Sequence, residues 1–181
     1  MRVPRIASLV VVLALAALVQ TRAMVLTQAD KDAKEVADAI TAFKNSDHLI
    51  SKWFDTAYGY VVFPNVAKGA VGIGAGGGDG RVFEKSVFVG TARVTQVTIG
   101  ASLGGQSFSE VIFFENKDAL DRFKAEKFEM TAGLSAVAAA EGASKDAKYT
   151  SGVAVFTLAK KGLMAEASVG GQKFKYTPIK K

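Results

Sequence analysis

The chain has 181 residues, 49% of them hydrophobic, with 23 basic and 17 acidic side chains, one histidine, no cysteine and a net charge of +6. That length suffices for one domain with a real core. The composition excludes disulfides and acyl attachment through cysteine, and it makes a zinc or other transition-metal site a poor expectation.

Residues 1–23 read as a secretory signal. Arg2 and Arg5 form a basic start, Ile6 to Val19 is apolar apart from Ser8, and Thr21-Arg22-Ala23 offers a cleavage site before Met24. The apolar run of about 14 residues falls short of the roughly 20 that span a bilayer, an uncleaved anchor being the alternative. The expected location is therefore outside the cytoplasm: periplasmic, envelope-associated or secreted. Beyond the signal the charge is uneven. Residues 24–144 carry a net −3, whereas residues 145–181 carry eight lysines against Asp146 and Glu166, a net +6. A basic end suits anionic headgroups, nucleic acid or simple solvation, and a solvated face is its ordinary meaning.

From Thr27, the sequence TQADKDAKEVADAITAFKN predicts an amphipathic helix. Ala29, Ala33, Val36, Ala37, Ile40 and Phe43 recur at helical spacing, and the polar face holds four acids against three lysines. A helix lying on a membrane normally has a basic polar face, so this one is expected to pack on the domain. Ser46-Asp47 caps a shorter helix or turn, HLISKWF, whose Leu49, Ile50, Trp53 and Phe54 continue the packed layer.

The texture then turns to β. YGYVVFP predicts a strand ending in a turn at Pro64-Asn65, GAVGIGAG a second, GRVFEKSVFVG a third, ARVTQVTIGASLG a fourth and QSFSEVIFFE a fifth. In the second strand Gly72, Gly74 and Gly76 share one face, and in the fourth Gly100, Ser102 and Gly104 do. A strand with a bare face invites close approach, so an acyl chain or a helix is expected against it. Asn116 caps a helix with Ala119, Leu120 and Phe123 on its apolar stripe, and KFEMTAGLSAVAAAEGASKDA predicts irregular backbone or a short helix. TSGVAVFTLA, GLMAEASVG and QKFKYTP supply closing strands, the last with Phe174 and Tyr176 inward and its lysines outward. The expected organisation is a helical segment over 24–57 and a Gly-rich β core with an inserted helix over 58–181.

An internal echo runs through the chain. GASLGGQSF at Gly100–Phe108 resembles EASVGGQKF at Glu166–Phe174, and YGYVVFPNVAKG resembles SGVAVFTLAKKG. Two copies are too few for a solenoid and fit hairpins packed into one sheet.

The chemistry of catalysis is thin. His48 is the only histidine and begins a surface helix, which argues against a Ser/His/acid relay. Gly72 to Gly77 satisfies G-x-G-x-x-G, but the strand-like DGRVFEKSVFV follows it rather than a helix to meet a pyrophosphate. No enzyme activity, cofactor, metal or nucleic-acid partner is expected.

Several blocks in fixed order carry a family resemblance: YGYVVFPNVAKGAVGIGAGGG, ASLGGQSFSEVIFFENKDALDRF, KFEMTAGLSAVAAAEG and KKGLMAEASVGG. Together they resemble the SYLF domain from about Lys31 to Gly171. The resemblance implies an α+β fold, a Gly-rich antiparallel sheet or partial β-barrel with an N-terminal amphipathic helix and further packed helices. It also implies lipid or phosphoinositide binding without catalysis, with actin a partner only by family analogy. The expected function is that of an exported, non-catalytic lipid-binding protein, the alternative being a structural or adhesive envelope protein without a lipid ligand. Candidate partners are a phospholipid or fatty-acyl ligand and a membrane surface. Lys145, Lys148, Lys160, Lys161, Lys173 and Lys175 are the candidate headgroup contacts.

Overall fold

The computed structural model describes residues 28–69, 73–99, 106–127, 136–161 and 171–179. The signal segment, together with Gly72, Gly100, Ser102 and Gly104 of the small-residue face, lies outside the described residues. The chain divides into two compact units, residues 1–35 and 36–181. What is described of the first is the start of helix α1 (residues 28–46), where Gln28 donates to Asp32 at 2.7 Å and Lys31 lies 3.9 Å from Glu35. No helix among the described residues is long and apolar enough to cross a membrane.

The second unit is built on one seven-stranded sheet. Its strands are β1 (Gly59–Gly69), β2 (Ile73–Glu84), β3 (Val87–Ile99), β4 (Gln106–Phe114), β5 (Val137–Ala138), β6 (Val153–Lys161) and β7 (Gln172–Pro178), in the spatial order β5-β6-β4-β1-β2-β3-β7. Every pairing is antiparallel except the two-residue parallel ladder of β5 on β6. The α+β expectation holds. The sheet is open, with β5 and β7 at its edges, so "partial barrel" describes only its curvature.

Alternation along each strand sends side chains to two cores. The inner one gathers Val61, Phe63, Val66, Val82, Ala92, Val94, Phe108, Ile112, Phe114, Val155 and Phe174 under helix α3 (Lys117–Lys124), which contributes Ala119, Leu120 and Phe123. The outer one gathers Tyr60, Val62, Val111, Phe113, Ala154 and Phe156 under the later part of α1, a 3₁₀ turn at His48–Ile50 and helix α2 (Ser51–Thr56). Both expected caps form: Asn116 accepts from the Ala119 N–H at 3.0 Å, and Asp47 from the Leu49 N–H at 3.0 Å. The α1 stripe departs from expectation at Ala29 and Ala37, and Ala39 joins it. Val36, Ala39 and Phe43 are buried, while Ala29 and Ala37 are exposed.

Two segment boundaries differ from the sequence expectation. Pro64-Asn65 is not a turn; β1 runs through it with an irregularity in its register against both β2 and β4. Ser109 Oγ donates to the freed Pro64 carbonyl at 2.8 Å, so the distortion leaves no orphan acceptor there. GRVFEKSVFVG is not one strand but a hairpin. Glu84 pairs with Val87 across Lys85 and Ser86, whose φ values of 48° and 64° give the left-handed pair that a two-residue hairpin needs. Within the described residues, Ile73 to Gly76 and Gly80 to Glu84 therefore belong to a single strand, as do Val87 to Gly90 and Ala92 to Ile99.

Candidate functional site

The closing strand β7 positions the first group of candidates. Gln172 and Phe174 are buried, Lys173 and Lys175 are exposed and Tyr176 is half-buried, as the alternation in QKFKYTP predicts. Register with β3 sets Lys173 beside Thr95 and Lys175 beside Arg93, and Arg93 in turn pairs with Asp79 of β2 at 3.1 Å. The outer face of this edge is thus a polar surface of lysine and threonine, with one arginine neutralised by its neighbour.

The remaining lysines are elsewhere. Lys160 is exposed on β6, separated from β7 by four strands in the sheet order, and the side chain of Lys161 lies outside the described residues. Lys145 ends a 3₁₀ turn at Ala143–Lys145, and Lys148 is exposed just beyond it. Among the described side chains, Lys173 with Lys175 is the pair that one strand face brings together.

The small-residue face of β2 points inward. Gly76 lies opposite Gln96, Gly78 opposite Val94 and Gly80 opposite Ala92, and Val94 and Ala92 belong to the inner core. Gly74 continues the series opposite Thr98. Where it can be followed, this face is filled by the protein itself. A Cβ on Gly80 would stand 2.5 Å from the Val62 carbonyl oxygen and 2.6 Å from Phe63 Cδ1, and one on Gly78 would stand 2.3 Å from the Asn65 carbonyl oxygen. The irregular stretch of β1 at Pro64-Asn65 is what leans over Gly78. Deeper in, Phe63 and Phe123 both pack on Phe174, with ring centroids 5.8 and 5.3 Å apart.

A cleft that sequence reasoning missed opens in the helical layer. Its volume is about 340 Å³, and it is lined by Leu49, Lys52, Trp53, Ser144, Lys145 and Ala147. Asp47 builds it: one carboxylate oxygen accepts from the Leu49 N–H and the other from the Ser144 N–H at 2.7 Å, joining both walls. Burial works against the Asp47 charge, yet these hydrogen bonds outweigh it and hold the carboxyl below its ordinary value. The Ser144 hydroxyl lies near enough to contribute to that shift, but it makes no hydrogen bond of normal geometry. Trp53 Nε1 donates to the Ser144 carbonyl at 3.3 Å, and its ring is braced by Phe156, Phe113 and Tyr149. The only sequence signal was a lone tryptophan following a capped turn.

Next to it, one ligand atom from each of Asp47, His48 and Glu141 lies within 4.8 Å of the others. These atoms are already engaged, Asp47 by backbone N–H groups and His48 Nδ1 by Glu141. Elsewhere Glu84 accepts from Tyr58 Oη at 2.8 Å and from Lys124 Nζ at 2.6 Å, and these two bonds, Lys124 first, hold its carboxyl low.

Residues 95–177, from within β3 to within β7, match a family model described as Ysc84, Las17-binding protein actin regulator. A protein of Aeromonas veronii called Beta cell expansion factor A is 32% identical over 124 residues, which cover 67% of this chain and 46% of that protein. This chain therefore spans less than half the length of that relative.

Proposed function

We propose that this chain, a SYLF-family protein through its Ysc84-type residues 95–177, is an exported lipid-binding module that meets anionic phospholipid or phosphoinositide headgroups with the outer face of β7. The family is one of non-enzymatic lipid- and actin-binding modules, which supports the class of function. The observation that carries the assignment is the alternation on β7. Lys173 and Lys175 stand exposed on either side of the buried Phe174, so two cations are presented on a strand whose reverse side is locked into the core. Each basic residue near an anionic surface contributes about 1 kcal/mol, screened by salt.

Sedimentation with phosphatidylserine or phosphoinositide vesicles tests this. The chain is expected to bind at low salt and to release steeply as salt rises. Lys173→Glu combined with Lys175→Glu is expected to lower vesicle affinity by about tenfold or more. Unchanged affinity in that variant overturns the surface assignment, and recovery of the unprocessed chain in the cytoplasmic fraction overturns export.

A second reading, a structural or adhesive envelope protein without a lipid ligand, draws support from the inner face, which Phe63 and the Asn65 carbonyl occupy at Gly80 and Gly78. It predicts no salt-dependent retention on vesicles.

A further inference from the structure

We propose that the cleft between the two 3₁₀ turns and α2 binds a small amphiphilic anion, its apolar body against Trp53 and its charge met by Lys52 and Lys145. Three observations converge on it. First, a volume of about 340 Å³ lies within the range of small-molecule sites, which are typically apolar with a few placed polar groups. Leu49, Trp53 and Ala147 supply the apolar wall. Second, the charge that lines the cleft is of one sign. Both charged lining residues are lysines, both are exposed, and neither is in an ion pair among the described residues. Asp47 is engaged by the N–H groups of Leu49 and Ser144, and Glu141 by His48, while Asp55 and Asp146, neighbours of the two lysines in the sequence, do not line the cleft.

Third, the site is preorganised. Trp53 is held by its hydrogen bond to the Ser144 carbonyl and by rings on several sides, with Tyr149 at 4.9 Å and Phe156 at 5.1 Å. A ligand laid on this indole immobilises little that is not already fixed, which limits the cost of binding. Lys145, which the sequence offers as a headgroup contact, belongs to this cleft rather than to the β7 surface.

Trp53 is the only tryptophan in the chain, so its emission reports on this cleft alone. The whole chain is titrated with decanoate below its micelle concentration, with decanol and acetate alongside. Decanoate is expected to produce a saturable change in Trp53 emission at an affinity at least tenfold above that of decanol, and acetate none. Lys52→Ala with Lys145→Ala is expected to weaken decanoate at least tenfold and to leave decanol unchanged. Ala147→Phe, which fills the wall, is expected to abolish both responses. A decyl phosphate arm identifies the preferred head, binding of either alkyl anion in saturable fashion supporting the site. Equal affinity for decanol and decanoate, a response that never saturates, or undiminished binding in the double-lysine variant overturns the proposal. The Lys173→Glu, Lys175→Glu variant is expected to keep its decanoate titration intact, so this site and the vesicle-binding surface fail or stand separately.

Discussion

Gln172 on β7 donates to Glu110 on β4 at 2.9 Å, and both side chains are fully buried. In the sheet these strands are separated by β1, β2 and β3, so on a flat sheet they would lie about 19 Å apart. The bond exists because the sheet curls its inner face upon itself, and it marks where the two arms of the curl meet.

Removing the donor should therefore loosen the curl. Gln172→Leu takes a hydrogen bond from a buried carboxyl group and is expected to cost about 1–3 kcal/mol. Lys173→Ala, one position along and exposed, is expected to cost under about 0.5 kcal/mol. Urea denaturation midpoints of the two variants check the contrast.

Glycine at position 80 is demanded by space rather than by backbone freedom. Gly80→Ala places a methyl group against a carbonyl oxygen and an aromatic ring at contact distances that no side chain tolerates, with an expected loss of about 1–3 kcal/mol. Gly142 is the converse case, with φ +78° and nothing within 4 Å of an added Cβ. Gly142→Ala is expected to cost about 1 kcal/mol through the left-handed backbone alone. Thermal melts of both variants distinguish crowding from conformation, and Gly142→Asn should recover most of the second loss but not the first.

Acid should act through Asp47 and Glu84. Both carboxyls are held below their ordinary values of 3.8 and 4.5, so the stability they contribute is fully present above those values and is lost as pH falls through the lower, folded-state ones. Asp47→Asn is expected to be less stable near neutral pH and to show a shallower acid limb, read from denaturation midpoints across acidic pH.

Alkali should act through Tyr149. Burial, aided by the charge of Glu115, pushes its phenol from 10.0 up to about 12. The unfolded chain ionises first, so stability from this group is intact below pH 10 and declines as pH climbs from 10 to about 12. Tyr149→Phe is expected to remove that decline, followed by the emission of Trp53, which Tyr149 touches.

Much of the fold was legible because its signals are local. Thr27 to Asn45 has helical spacing, Asn116 and Asp47 cap as their side chains allow, and β7 alternates strictly. The echo was real in part. Gln106 and Gln172 each begin a strand after a Gly pair, and Phe108 and Phe174 both reach the inner core. Its other half misleads, since Phe63 faces the inner core whereas its counterpart Phe156 faces the outer one. Lys85-Ser86 carries neither glycine nor asparagine, so the hairpin there had no turn signature to read. Pro64-Asn65 looks like a turn to any local rule, and only the β4 neighbour, through Ser109, makes it a continuing strand. The curl and the Trp53 cleft arise from contacts between distant segments, such as Asp47 with Ser144, which no window of sequence contains.

The place of β7 has a consequence for how the molecule is made. The strand that completes the inner core pairs with a partner far upstream; Thr95 and Lys173, joined across that ladder, are 78 residues apart. Until β7 arrives, β3 is a bare edge and Phe63 and Phe123 lack the Phe174 ring that packs on both. Assembly governed by so distant a contact is slow by topology alone, so the incomplete chain presents a sticky, unpaired strand for as long as synthesis delays β7.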